Sequence, residues 1–155
     1  MSKKAKRPKH QGDPRDRQIQ QRVDPENANK LTPLWSFALL DIEGSWRENN
    51  ARGVNAQLLL SDVLPKLKNR ESMTWTEILQ ETHGKKGKSK NHAVSIAKII
   101  KAANERLIQL KLEDIDELFS LRLQGKHRVW GIRDGRILKI IWIDENHTVC
   151  PSLRE

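Results

Sequence analysis

The chain has no tyrosine, a single cysteine, two phenylalanines and no run of about 18 apolar residues, the length a helix needs to cross a bilayer. The basic N-terminus has no apolar stretch behind it to serve as a signal peptide. The expectation is therefore a cytoplasmic protein with no membrane partner. Cys150, alone, can form no intramolecular disulfide and no multi-cysteine zinc site, and reads as a buried, inert thiol. His10, His83, His92, His127 and His147 include no His-x-x-x-His pair, so no metal and no cofactor is expected. Glu113, Asp114, Asp116 and Glu117 read as a helix-end turn. Gly87-Lys88-Ser89 contains the tripeptide of a phosphate-binding loop, but no apolar strand precedes it and the glycine spacing fails.

Positive charge, by contrast, is abundant. The net charge is +9, a property that concerns partners more than fold, because surplus Lys and Arg attract polyanions and release their counterions. Residues 1–30 hold nine Lys/Arg against four Asp/Glu, which puts +5 in that segment and leaves +4 for residues 31–155. Three prolines and almost no apolar side chains make residues 1–30 a disordered basic arm, since too little surface can be buried to offset the entropy of ordering. The remaining 31–155 is expected to be one α+β domain, with a helical extension over 31–83 and a long helix plus β-meander over 92–152.

Periodicity gives the elements. Residues 34–40 read as a short strand anchored by Trp35 and Phe37, and the stretch from Glu43 to Gly53 as a loop in which Trp46 packs on the core. Val54, Leu58, Leu59 and Val63 predict an amphipathic helix over 55–69, kinked or ended early by Pro65. Thr74-Trp75-Thr76-Glu77 is a capping box that opens a short helix stopping near His83-Gly84. Gly84 to Asn91 reads as a mobile basic loop. The apolar positions from Val94 to Leu112 predict one long helix over 92–111.

From Leu118 the period becomes two. Strands follow around Leu118–Leu123, His127–Ile132 and Ile137–Ile143, with a short fourth strand at His147–Cys150 ended by Pro151. The Asp134-Gly135 pair marks a tight hairpin turn, and such short connections make the meander antiparallel. The fold class is thus α+β, helices followed by a C-terminal antiparallel β-meander of three to four strands. Alternation puts Arg122, Arg128 and Lys126 on an open face, with His127 and His147 at strand ends.

Guanidinium forks grip phosphate oxygens, and a histidine or lysine can move a proton or offset developing charge. Arg122, Lys126, Arg128, Arg133 and His147 therefore form a candidate phosphodiester site, with Trp130 and the lysines Lys85, Lys86, Lys88 and Lys90 holding RNA. The other readings are a module that binds RNA or DNA without catalysis, and a protein-interaction or regulatory domain whose meander pairs by its edge with another sheet.

The segment Leu121-Arg122-Leu123-Gln124-Gly125-Lys126-His127-Arg128-Val129-Trp130-Gly131-Ile132, followed by Ile137–Ile143 and His147, resembles the C-terminal half of RelE/YoeB/HigB-type toxins. The ending from Trp142 to Ser152 is also similar to that of uncharacterised bacterial proteins. The resemblance covers about 35 residues of the chain, and implies a RelE-like fold and a metal-independent endoribonuclease that cuts mRNA, commonly on the ribosome, and is neutralised by an antitoxin protein. It assigns Arg128 to the phosphate and His147 to general acid/base work, with Arg122 and Lys126 beside them. The chain departs from the pattern in lacking a C-terminal Tyr. Trp130 or Trp142 can stack a base in its place but cannot transfer a proton. Residues 34–83 have no counterpart in the toxin pattern.

Overall fold

Residues 25–43 and 55–151 are described by a computed structural model. In chain order they form α1 (Pro25–Ala28), β1 (Leu34–Ser36), α2 (Ala56–Leu58, Leu59–Val63 and Leu64–Arg70 in succession), α3 (Trp75–Gln80), β2 (Thr82–His83), β3 (Lys88–Ser89), β4 (His92–Ser95), α4 (Lys101–Gln109), β5 (Glu117–Gln124), β6 (His127–Asp134) and β7 (Ile137–Asp144). The two-residue period of the C-terminal part produces β5, β6 and β7, an antiparallel meander whose second turn places Gly135 at φ +60°, where a side chain would be strained. The sheet is extended on one side by β4, antiparallel to β5, and on the other by β1, parallel to β7, in the order β1-β7-β6-β5-β4. The class is mixed α+β, with a five-stranded, mostly antiparallel sheet.

Both faces of the sheet are covered, because β5, β6 and β7 carry apolar side chains at odd and even positions alike. Leu121, Val129, Leu138, Ile140 and Ile143 pack under α2 and α3, against Val63, Leu67, Trp75 and Ile78. Leu118, Trp130, Ile141 and Trp142 pack on the opposite face, against Ala103 and Leu107 of α4 and against Val149. Between Trp130 and Gly131 the register of β6 on β7 shifts. A β-carbon on Gly131 would lie 2.3 Å from the Lys139 carbonyl oxygen, so the strands approach there only because residue 131 has no side chain.

Several local expectations are corrected. The arm expected over 1–30 gives way to structure from Pro25: Ala28 is buried, and the Asn29 carbonyl accepts from the amide and hydroxyl of Thr76. Residues 1–24 lie outside the described residues, as does Trp46 with most of its loop. Pro65 neither ends nor breaks α2. Leu59–Val63 widens into a π turn, in which the Leu64 amide reaches the Leu59 carbonyl, and Pro65 sits at the start of the next α segment, where its missing N–H costs little. Phe37, expected in the core, is 41% exposed. The basic loop is a two-stranded hairpin, β2 with β3.

The long helix over 92–111 is the largest correction. His92–Ser95 is a strand paired with β5 from Glu117 to Ser120, a 3₁₀ turn follows at Ile96–Lys98, and the helix begins only at Lys101. Ser95 caps the 3₁₀ turn through the Ala97 amide, which interrupts helix growth. The capping box holds: Thr74 Oγ1 accepts from the Glu77 amide at 3.2 Å. The fourth meander strand, expected at 147–150, is absent. That segment is instead a turn built around the Asp144 carboxylate.

Candidate nucleic-acid site at the end of the meander

Register assembles the site. Arg122 of β5 lies opposite Arg128 of β6, and Arg128 lies opposite Asp144 of β7, so the three side chains form one row across the last rungs of the meander. Counting by twos from Leu118, Trp130 and Trp142 places the row on the α4 face of the sheet. Both arginines are partly exposed. Their guanidinium groups are steadied by carbonyls of the β5–β6 turn: Arg122 Nε donates to Gly125 at 3.1 Å, and Arg128 Nη1 to Lys126 at 3.1 Å. Lys126 itself is exposed in that turn.

Asp144 organises the segment after β7. Its buried carboxylate accepts from the Thr148 amide at 2.9 Å, the Thr148 hydroxyl at 3.0 Å, the Val149 amide at 3.1 Å and Trp130 Nε1 at 3.2 Å. The chain turns tightly around this carboxylate, with His147 in the left-handed region at φ +56°. The Val149 carbonyl accepts from the Ile100 amide at 2.9 Å, which ties the turn to the start of α4. His147 is thereby held beside the row.

The electrostatics of the row are dominated by positive charge. Burial pushes the His147 imidazole below its ordinary value of 6.5, and Arg128, Arg122 and Lys126 push it the same way against the opposing pull of Asp144. The ring is neutral at pH 7, with one nitrogen free to accept a proton. Arg128 is a weaker base than a free guanidinium, first through burial and then through Arg122 beside it, although a guanidinium stays charged at neutral pH. Asp144 is the acid that acts on both groups, and its oxygens are already engaged by four donor groups. A phosphate entering the row would relieve the repulsion between the two guanidinium groups.

The remaining sequence candidates fall elsewhere. Trp130 is 1% exposed and donates to Asp144, so it has no face to offer a base, and Trp142 is equally buried. Arg133 sits at the far end of β6, over the Trp75 ring at 4.3 Å and bonded to Asn29 and to the Gly135 carbonyl; it fastens α1 to the sheet. His127 points to the α2 face, where its Nδ1 lies 2.7 Å from Asp62 Oδ2. Lys85, Lys86 and Lys88 are exposed on the β2–β3 hairpin, and Lys90 at its foot is half-buried. Among the described residues no group of three or more His, Cys, Asp or Glu side chains is arranged to hold a metal ion.

Three contributors were missed by sequence reasoning. Asp144 had a readable signal, a strand-ending Asp four residues before a Thr, the spacing at which a carboxylate captures the amides of its own turn. Asn91 and Arg70 had none, because the hydrogen bonds they make to the Arg122 amide and carbonyl join residues far apart in the chain. In comparison with known proteins, no family model, no curated protein and no solved structure matches this chain.

Proposed function

We propose that the Arg122–Arg128 row binds the phosphodiester backbone of RNA and that the protein is a metal-independent, RelE-like endoribonuclease acting on mRNA, kept inactive by a partner antitoxin. The observation that supports it most is geometric: Arg122 and Arg128 stand in register on one face, and the turn around Asp144 brings His147 beside them. RNA carries its own nucleophile. The free nitrogen of His147 takes the proton of a 2′-OH, the 2′ oxygen bonds to the adjacent phosphorus, and the bond from phosphorus to the 5′ oxygen breaks. The leaving oxygen takes a proton from water, and the hydroxide left behind recovers the proton from His147. The products are a 2′,3′-cyclic phosphate and a 5′-hydroxyl end. The guanidinium groups stabilise the charge that builds on the phosphoryl oxygens.

The test is controlled expression of wild type, Arg128→Ala and His147→Ala in a bacterial host, following growth and mapping mRNA ends, together with cleavage by purified protein in a chelator. The expected result is growth arrest and new cuts that carry a cyclic phosphate, with His147→Ala slower by about 10²–10⁴-fold, the usual worth of a general base. Intact mRNA and normal growth from folded wild-type protein would overturn the catalytic reading. RNA binding that persists without cleavage would then make the site a binding module.

A further inference from the structure

Strand β4 stops short of the row it supports. Its pairing with β5 runs from Ser95–Glu117 to His92–Ser120, so the backbone of Arg122 lies two residues beyond the last strand partner. Two side chains complete the ladder there. Asn91 Oδ1 accepts from the Arg122 amide at 2.9 Å, and Arg70 Nη2 donates to the Arg122 carbonyl at 2.7 Å. Asn91 follows β3 at the foot of the β2–β3 hairpin, and Arg70 is the last residue of α2, which packs beside that foot. Asn91, 1% exposed, also donates through Nδ2 to the Ile78 carbonyl at 2.8 Å. Arg70 also donates to Glu81 at 3.3 Å, and the Glu81 carbonyl accepts from the Lys90 amide at 2.8 Å. Ser89 Oγ closes the foot on the Leu79 and Asn91 carbonyls at 2.9 and 2.7 Å.

The hairpin is thus fastened to the backbone of Arg122 by buried and part-buried polar contacts, which hold geometry because breaking one leaves a poorly solvated group unsatisfied. What it presents is charge of one sign. From Gly84 to Asn91 there are four lysines and no acid, and among the described residues none of the four is in an ion pair. A folded protein gains nothing internally from four unpaired ammonium groups on a hairpin anchored this firmly. They are suited to a polyanion whose charges recur at the spacing of a nucleic-acid backbone.

We infer that the β2–β3 hairpin is a second contact for the same RNA strand, with Lys85, Lys86, Lys88 and Lys90 engaging phosphates that flank the one held by Arg122 and Arg128. This rests on the reading of the row as an RNA site, and it defines the substrate class: a single strand of several nucleotides that runs from the row onto the hairpin. A mononucleotide or dinucleotide fills only the row.

The experiment measures binding of 2′-fluoro RNA, which has no 2′-OH and cannot be cleaved by this route, as a trimer and as a 12-mer over a range of salt. Wild type is expected to bind the 12-mer more tightly and with a steeper salt dependence. In the Lys85→Gln/Lys86→Gln/Lys88→Gln/Lys90→Gln variant, checked for unchanged thermal unfolding, the gain from trimer to 12-mer shrinks. The slope of log Kd against log salt falls by about 3, four contacts at roughly 0.7 each for a single strand. An undiminished length gain and slope would overturn the inference, including the case in which the lysines serve an acidic protein instead. The Arg122→Gln/Arg128→Gln variant separates the two readings. If it binds the trimer as wild type does, the row is not an RNA site; a hairpin variant without effect removes only the second contact.

Discussion

In the proposed reaction His147 is the residue that moves the proton, and its charge state is set by its neighbours. Arg128 disfavours the imidazolium more than Arg122 does, so Arg128→Ala should raise the His147 midpoint toward 6.5, and Arg122→Ala should raise it less. Titrating the imidazole C–H signals by NMR checks this ranking, and equal shifts, or none, would disprove it. The sign carries over to stability. Because the folded-state value lies below the unfolded one, the unfolded chain binds the extra proton first, and stability falls as pH drops from about 6.5 through the folded value. The proposed cleavage, which needs a neutral His147, should have the same direction, rising with pH through that midpoint. The pairing of Arg122 with Arg128 was legible in the sequence because a meander puts cations on alternate positions, whereas His147, expected at the start of a fourth strand, is placed by the turn around Asp144. Trp130 was misjudged for a related reason. Alternation cannot tell an exposed face from one covered by a helix, and here α4 covers it.

At the level of elements, the turn from Asp144 to Val149 replaces a strand by a carboxylate. Asp144→Ala would leave two amides, a hydroxyl and an indole N–H competing for partners in a buried setting, a loss on the order of 3 kcal/mol. Urea unfolding should show that loss together with a sharp drop in RNA cleavage as His147 is released; full stability in the variant would show that the turn holds without its anchor. The meander, α2 and the capped α3 could be read from local periodicity and a local cap. The β4 strand could not. Val94, Ile99 and Ala103 are all buried and fall near helical spacing, but the first two reach the core from a strand and a turn, and only Ala103 does so from α4. Parallel pairing of β1 with β7 was equally hidden, since no short-range signal links Leu34 to Ile137.

For the molecule as a whole, Asp41 joins segments that the sheet alone leaves apart. Its side chain, 1% exposed, accepts from Arg106 Nη2 at 2.7 Å, Arg106 Nε at 2.8 Å and Trp142 Nε1 at 3.0 Å, which binds the chain after β1 to α4 and β7. Burial alone would raise the Asp41 pKa, but the Arg106 and Trp142 hydrogen bonds outweigh it, and the group lies below 3.8. A lowered carboxylate stabilises above its unfolded value and is lost as pH falls through the folded one. Arg106→Ala strands that buried charge and should cost about 3–5 kcal/mol at pH 7. The deficit should shrink as pH falls and Asp41 protonates, first in the variant, where burial is no longer offset by Arg106; denaturant melts at neutral and at acidic pH test this, and a pH-independent deficit would assign the loss to packing.

The pairing of β1 with β7 sets an order of events during synthesis. Leu34 leaves the ribosome about a hundred residues before Ile137, so closing that contact must wait for almost the whole chain and spans the longest loop in the sheet. Arg122, Arg128 and His147 are translated late as well. A nascent chain therefore holds an unpaired first strand and no assembled arginine row until the meander has emerged and folded back on it.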